Sequence, residues 1–237
     1  MNKIAVVTGA ATGIGQAIAL ELAKIGYTVY ANARSEEKLK KTMELGKEYD
    51  VRFFIFDVQD VEAIKNSFSK LKKVDCLVNA AGISVKKTAI ESVEEADWDI
   101  TLGTNVKGYF FVTKYALPKM TRGGSIINIS SGAAKTGGDF VSLPYSTSKG
   151  AINSLTVCLA RELAKSGIRV NAVSPGFVET AMLEVNGLPI EYYGEAIPIG
   201  RVGTPADIAN MVVFLSSEKA NFITGQIIEV NGGDIMG

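Results

Sequence analysis

The sequence predicts a doubly wound α/β domain, a mostly parallel sheet of seven strands with helices on both faces, and three observations predict it. Short β-rich apolar runs alternate with helical patterns along all 237 residues. Strand candidates such as VRFFIFD and SIINIS are apolar almost throughout, as strands covered by helices on both faces must be. A glycine-rich loop, TGAATGIG, separates the first strand from the first helix. Repeats, low-complexity stretches and linkers are absent from the sequence, so one domain over 1–237 is expected.

Taken in order, strands are expected near 3–8, 27–33, 51–57, 74–79, 125–130, 168–174 and 226–231. Helices are expected near 13–25, 36–48, 60–71, 94–116, 144–165 and 204–216. KIAVVT opens the series, and a strand starting at Lys3 leaves no room for a cleavable signal. The glycine loop then feeds the first helix. Ser35 is placed to cap the second, with Glu36 and Glu37 in a first turn where the helix dipole favours acids. Right-handed crossovers connect successive parallel strands. In the long helix 144–165, Ile152, Leu155, Leu159 and Leu163 recur at helical spacing and form one apolar face. Only 180–198 breaks the alternation: Gly187, Pro189 and Gly194 interrupt Met182, Leu183, Val185, Leu188, Tyr192, Tyr193 and Ile197. That segment reads as a small lid over an apolar ligand.

Composition excludes several function classes. Twenty-five basic and 25 acidic side chains give zero net charge, unlike the basic excess of a nucleic-acid binder. Apolar runs stay short of the roughly 18 residues that a membrane span needs. Two isolated cysteines, Cys76 and Cys158, point to reduced thiols and a cytoplasmic setting. The chain has no histidine at all. Nucleophile systems built on imidazole are therefore impossible, and so is a His-rich zinc site; no metal is expected.

What replaces imidazole is visible in LPYSTSKG, where Tyr145 and Lys149 stand one helical turn apart. A phenol titrates near 10 in solution. An ammonium about 5 Å away, at an effective dielectric near 20, favours the phenolate by roughly 3 kcal/mol, about two pKa units. The pair is thus expected to work as a general acid.

Gly9, Gly13 and Gly15 let the backbone approach a pyrophosphate while amides at the helix start face its charge, the Rossmann arrangement. No Gly-Lys-Ser/Thr follows, which excludes a P-loop. TGAATGIG, the NAAG at 79–82, YSTSK at 145–149, NAVSPGFVET at 171–180 and the NGG at 231–233 occur in one order over nearly the whole chain. In these motifs the sequence resembles the short-chain dehydrogenase/reductase family. The resemblance implies coenzyme contacts from Gly9, Thr12, Gly13, Ile14 and Gly15, from Asp57 and Val58 at the adenine, and from Asn79, Ala80 and Gly82 along the ribose. Pro175, Gly176, Val178 and Thr180 would meet the carboxamide or phosphates, and Lys149 the nicotinamide ribose. It further implies Ser131 as the carbonyl-binding serine, chosen over its neighbour Ser130, and Asn105 as holder of a water that joins Lys149 to solvent.

Ala33 occupies the position where a ribose-binding carboxylate is expected, and Arg34 follows it; this suits the 2′-phosphate of NADP rather than NAD. Within the family, the C-terminal third (198–233) reads like that of 3-oxoacyl-[acyl-carrier-protein] reductases and polyketide ketoreductases. An NADPH-dependent reduction of a ketone or acyl thioester is the activity this implies. An alcohol, hydroxysteroid or sugar dehydrogenase is the alternative, and a non-catalytic dinucleotide sensor a third reading, which has no use for Ser131, Tyr145 and Lys149 together. An acidic carrier protein needs basic residues near the pocket mouth. Arg122 matches one such arginine of those reductases, and Lys165 and Ser166 stand where a second is expected. The resemblance also implies a homotetramer.

Overall fold

The computed structural model describes residues 3–138, 140–184, 193–195 and 197–236. Seven strands, β1 (Ile4–Val7), β2 (Thr28–Ala33), β3 (Val51–Ile55), β4 (Val74–Asn79), β5 (Met120–Ile129), β6 (Arg169–Pro175) and β7 (Ile227–Val230), lie in the order β3-β2-β1-β4-β5-β6-β7. Every pairing is parallel, so the sheet is parallel throughout rather than mostly so. Strand order reverses between β1 and β4, and ligands of such sheets bind outside the carboxyl ends at that reversal.

The helices are α1 (Gly13–Lys24), α2 (Glu36–Leu45), α3 (Val61–Ser69), α4 (Glu95–Leu102), α5 (Gly108–Ala116), α6 (Ala133–Thr136), α7 (Leu143–Leu163), α8 (Ala181–Glu184) and α9 (Pro205–Ser216). Alternate side chains of each strand enter two different cores, the period of two that pleating imposes. Ala5, Val7, Cys76, Val78 and Val173 pack with Ile18 and Leu22 of α1 and Ile208 and Val212 of α9. Val6, Leu77, Ile126 and Val170 pack with Phe68 of α3, Val112 of α5 and Leu159 and Leu163 of α7. Ile152 is fully buried and Leu155 partly so, which assigns that apolar face to the core.

Two elements differ from expectation. The helix expected over 94–116 is three pieces: α4, a π-helical turn over Gly103–Lys107, and α5. Gly108 is pressed against Val58, where a Cβ would lie 3.1 Å from the valine side chain, and the wider turn lets the chain pass that point. Strand β5 begins at Met120, five residues before the expected start, because Gly123 and Gly124 read as a turn yet continue the strand beside a register shift near Val74–Cys76. The short helices α6 and α8 have no sequence signature of their own.

Among the described residues no helix is long and apolar enough to cross a membrane. Residues 185–192 and 196 of the expected lid lie outside the described residues. The flanks that are described form a small core: Leu183, Tyr193, Ile197 and Val202 pack together with Phe140 and Phe177.

Candidate active site

A cleft of about 1140 Å³ opens at the carboxyl ends of the strands, where the strand order reverses. Small-molecule sites typically measure about 300–1,000 Å³, so this cleft has room for a dinucleotide and a second ligand. It is lined by Gly9, Thr12, Gly13, Ile14, Gly15, Arg34, Asp57, Val58, Ala80, Gly82, Ser131, Tyr145, Lys149, Pro175, Gly176, Val178 and Thr180. Two expected site residues, Asn79 and Asn105, do not line it.

The glycine loop is shaped for close backbone approach. Gly9 has φ +66°, and a Cβ there would lie 2.7 Å from the Ala81 backbone. A Cβ on Gly15 would collide with the Gly9 carbonyl. Side chains fasten the loop from below. Thr8 Oγ1 accepts from the amides of Ala80 (3.0 Å) and Ala81 (3.1 Å), tying β1 to the loop after β4. Gln16 donates to the Ala11 carbonyl and to Thr42 Oγ1, which itself donates to the Ala10 carbonyl. The result is a cradle of backbone amides at the start of α1, the donor set a pyrophosphate requires.

At the end of β2, buried Ala33 and exposed Arg34 line the cleft, joined by Lys38 from α2. Lys38 was not anticipated, although its position four residues after Arg34 was readable. Glu36 and Glu37 are exposed and do not line the cleft; Glu37 pairs with Lys40 at 2.5 Å. Ser35 occupies the N-cap position without a capping side-chain bond. Asp57 Oδ1 accepts from the Gln59 amide at 2.9 Å, while Asp60 is the residue that caps α3.

Asn79 is a correction. Its side chain is fully buried beneath the cleft and donates to Thr113 (3.1 Å) and Asn128 (2.9 Å). Alternation along β4 turns it into the sheet–helix layer, and only the backbone beyond it reaches the site. Asn105 is likewise fully buried. Its amide exchanges two 2.9 Å bonds with the backbone of Ile83 and donates to Ser148 at 3.0 Å. That side chain clamps the loop after Gly82 to α7 and has no donor left for a water.

Helix α7 carries Tyr145, Ser148, Lys149 and Ile152 on one buried face, so the core's own periodicity delivers phenol and amine together. Ser130 and Ser131 separate cleanly. Ser130 is buried, and its hydroxyl donates to Asn153 at 2.6 Å; Ser131 faces Tyr145. Lys149 Nζ donates to the Ile129 carbonyl at 2.8 Å and lies 5.5 Å from the ring centroids of both Tyr145 and Tyr109. Burial brings the Lys149 amine down to about 7. Burial also holds the Tyr145 phenol above its ordinary value, with the Ser131 side chain pulling the other way. Burial therefore works against the expected lowering of the phenol by its neighbour. Both groups are desolvated, and an amine half-neutral near pH 7 exerts less than a full charge's attraction.

Apolar side chains complete the cleft beside Tyr145: Ile83, Ile100, Phe140, Val141, Phe177 and Met182. Ile235 and Asp234 from the C-terminal segment also line it, and Ile235 occupies the space above Gly132, next to Ser131. No local pattern in the sequence points to these two. A smaller pocket of about 210 Å³ shares Phe140, Val141 and Met182 with the cleft and adds Ser84, Val85, Lys86 and Lys87. Arg122 is elsewhere. It stands near the start of β5, at the opposite end of the strand from Ser131, and donates to the Lys165 carbonyl at 3.3 Å. Within one chain it is not at the cleft mouth, because the strand between them is extended at about 3.3 Å per residue.

A family model described as "Enoyl-(Acyl carrier protein) reductase" matches residues 9–234. A solved structure titled short-chain dehydrogenase/reductase SDR:Glucose/ribitol dehydrogenase, from Brucella melitensis, superposes with a TM-score of 0.93 at 34% identity, covering 100% of this chain and 98% of that one. The chain belongs to the short-chain dehydrogenase/reductase family. Similar curated members include the 3-oxoacyl-[acyl-carrier-protein] reductase of Aquifex aeolicus, 41% identical over 242 residues, covering 98% of this chain and 97% of that protein. The protein of the same name from Staphylococcus aureus is 42% identical over 246 residues, covering 100% and 99%. The protein is accordingly an oxidoreductase of the short-chain type whose coenzyme is a nicotinamide dinucleotide, and the amide cradle fits that group.

Proposed function

We propose that the protein reduces the keto group of a 3-oxoacyl thioester, borne on an acyl carrier protein, to the hydroxyl with NADPH. The observation that carries this reading is the convergence of Ser131, Tyr145 and Lys149 at an apolar end of the coenzyme cleft. The names of the relatives at 41–42% identity support the substrate class.

In this reading Gly9, Thr12, Gly13, Ile14 and Gly15 hold the pyrophosphate, Asp57 and Val58 the adenine, and Ala80 and Gly82 the adenosine ribose. Pro175, Gly176, Val178 and Thr180 border the nicotinamide. Arg34 and Lys38, with no carboxylate at Ala33, favour a 2′-phosphate and hence NADPH over NADH. The chemistry that a bound NADPH supplies is hydride donation. Tyr145 holds the proton for the carbonyl oxygen; a phenol kept above its ordinary value by burial is protonated at neutral pH and ready to donate. Ser131 donates a hydrogen bond to the same oxygen and orients it. Lys149 fixes the ribose and, once protonated, stabilises the phenolate left behind. Asn105 keeps the loop after Gly82 in place against α7.

Lys86 and Lys87, beside a pocket continuous with the cleft, take the role at the mouth that Arg122 does not fill in its own chain, attracting an acidic carrier. Met182 and Leu183, described residues at the start of the expected lid, line the cleft on the side of the acyl chain. Exposed Trp98, Phe110, Phe214 and Phe222 supply the contacts of a homotetramer.

The test is reduction of an acetoacetyl thioester, followed by NADPH absorbance. Wild type turns over, and Tyr145→Phe loses about 10²–10⁴ in kcat with NADPH binding intact. Undiminished turnover in the Phe variant removes the mechanism, and a wild type that ignores thioesters but reduces sugars or steroids removes the substrate assignment.

A further inference from the structure

Among the described residues Lys149 is buried with no carboxylate partner, yet the reading above needs its ammonium. Its surroundings among the described residues are specific. From α7 itself comes the Tyr145 ring; from α5 comes the Tyr109 ring; from the end of β5 comes the Ile129 carbonyl. The neutral side-chain amide of Asn105 borders the same space over Gly82 as Nζ. Tyr109 is 1% exposed, and its hydroxyl donates at 3.3 Å to the Ile129 carbonyl, the same oxygen that accepts from Lys149 at 2.8 Å. That shared bond fixes the rotation of the Tyr109 ring relative to the ammonium.

We propose that Tyr109 is a positioning residue of this site: its ring, locked by the bond to the Ile129 carbonyl, holds Lys149 Nζ in place and favours its protonated form. An aromatic face carries negative quadrupolar charge, and its attraction for an ammonium is largest where water is excluded, as here. Two rings, one on each of two helices, supply in part what a carboxylate would, without the net negative charge that would repel an anionic coenzyme. Burial raises the Tyr109 phenol itself far above neutrality, so the ring and its donated proton persist through the working pH range. The inference rests on the role given to Lys149 above, but its first test needs neither coenzyme nor substrate.

Protein labelled with ¹³C-lysine is titrated by NMR through the Lys149 ε-methylene signal, assigned with Lys149→Arg. Three proteins are compared: wild type, Tyr109→Phe, and a trifluorinated phenylalanine at 109, which keeps the ring's shape while removing its negative face. The wild-type midpoint is expected near 7, the fluorinated ring about one pH unit lower, and Tyr109→Phe, whose ring has lost its lock, between the two. The upper pH limb of kcat/KM with NADPH should move down by the same amount. Equal midpoints for the fluorinated and plain rings overturn the proposal. If the midpoints move as expected while thioester reduction is absent, the function proposed above fails and this inference stands.

Discussion

Lys149 illustrates how one residue couples stability to pH. In the unfolded chain its amine keeps a proton to about its ordinary 10.5, in the folded protein only to about 7. Between those values unfolding takes up a proton, so folded stability rises with pH; below 7 the full cost of burying the charge is present. Urea melts of wild type and Lys149→Met should therefore show the wild type gaining on the variant between about pH 6 and pH 10, with a slope approaching 1.36 kcal/mol per pH unit. A constant difference across that range refutes a depressed amine. Arg34 carries a separate expectation. Replacing it by Asp exchanges a charge-assisted donor for a repelling carboxylate, and the preference of kcat/KM for NADPH over NADH should fall by about 10- to 100-fold. An unchanged ratio shifts the phosphate contact to Lys38. Of the residue-scale site, the glycines and the Tyr145–Lys149 pair were legible because spacing along one loop or one helix brings each set together. Asn79 was misread, since a strand's alternation turned its side chain under the cleft rather than into it.

Elements are held by their ends. Helix α9 starts with a reciprocal capping box, Thr204 with Asp207, and Pro205 at its first position. Arg201 donates to both Asp207 oxygens, at 2.8 and 3.1 Å, and with the Thr204 bonds holds that carboxyl well below its usual range. Thr204→Ala should cost about 1 kcal/mol in urea denaturation at neutral pH, because the buried face of α9 packs beside α1 on one side of the sheet. A loss near zero indicates that Arg201 alone anchors the turn. The π-helical turn shows the opposite limit of local reading. Gly103 and Gly108 lie in a helical pattern, and only the contact of Gly108 with Val58 makes the wider turn necessary. Nothing local distinguishes such a helix from a regular one. The early start of β5 is similar: Gly123–Gly124 is turn chemistry locally, and the strand runs on through it because β4 pairs on either side, Val74 with Met120 and Cys76 with Ser125.

At the scale of the molecule, charge placement decides partners more than total charge, which is zero. If Lys86 and Lys87 receive an acidic carrier, Lys86→Glu should raise KM for a carrier-borne thioester about tenfold and leave a small free thioester unchanged, since rim charges act on encounter. If Arg122→Glu does so instead, the carrier approaches the amino end of β5 rather than the pocket beside Lys86 and Lys87.

The alternation of strands and helices, the glycine cradle and the tyrosine–lysine pair can be read from the chain, since each depends on residues a few positions apart. Only the tertiary packing sets Ser131 rather than Ser130 against the phenol, Arg122 away from the cleft, Ile235 into it, and the Tyr109 ring against Lys149. These are contacts between segments far apart along the chain, set by strand order and helix packing, and no local periodicity encodes them.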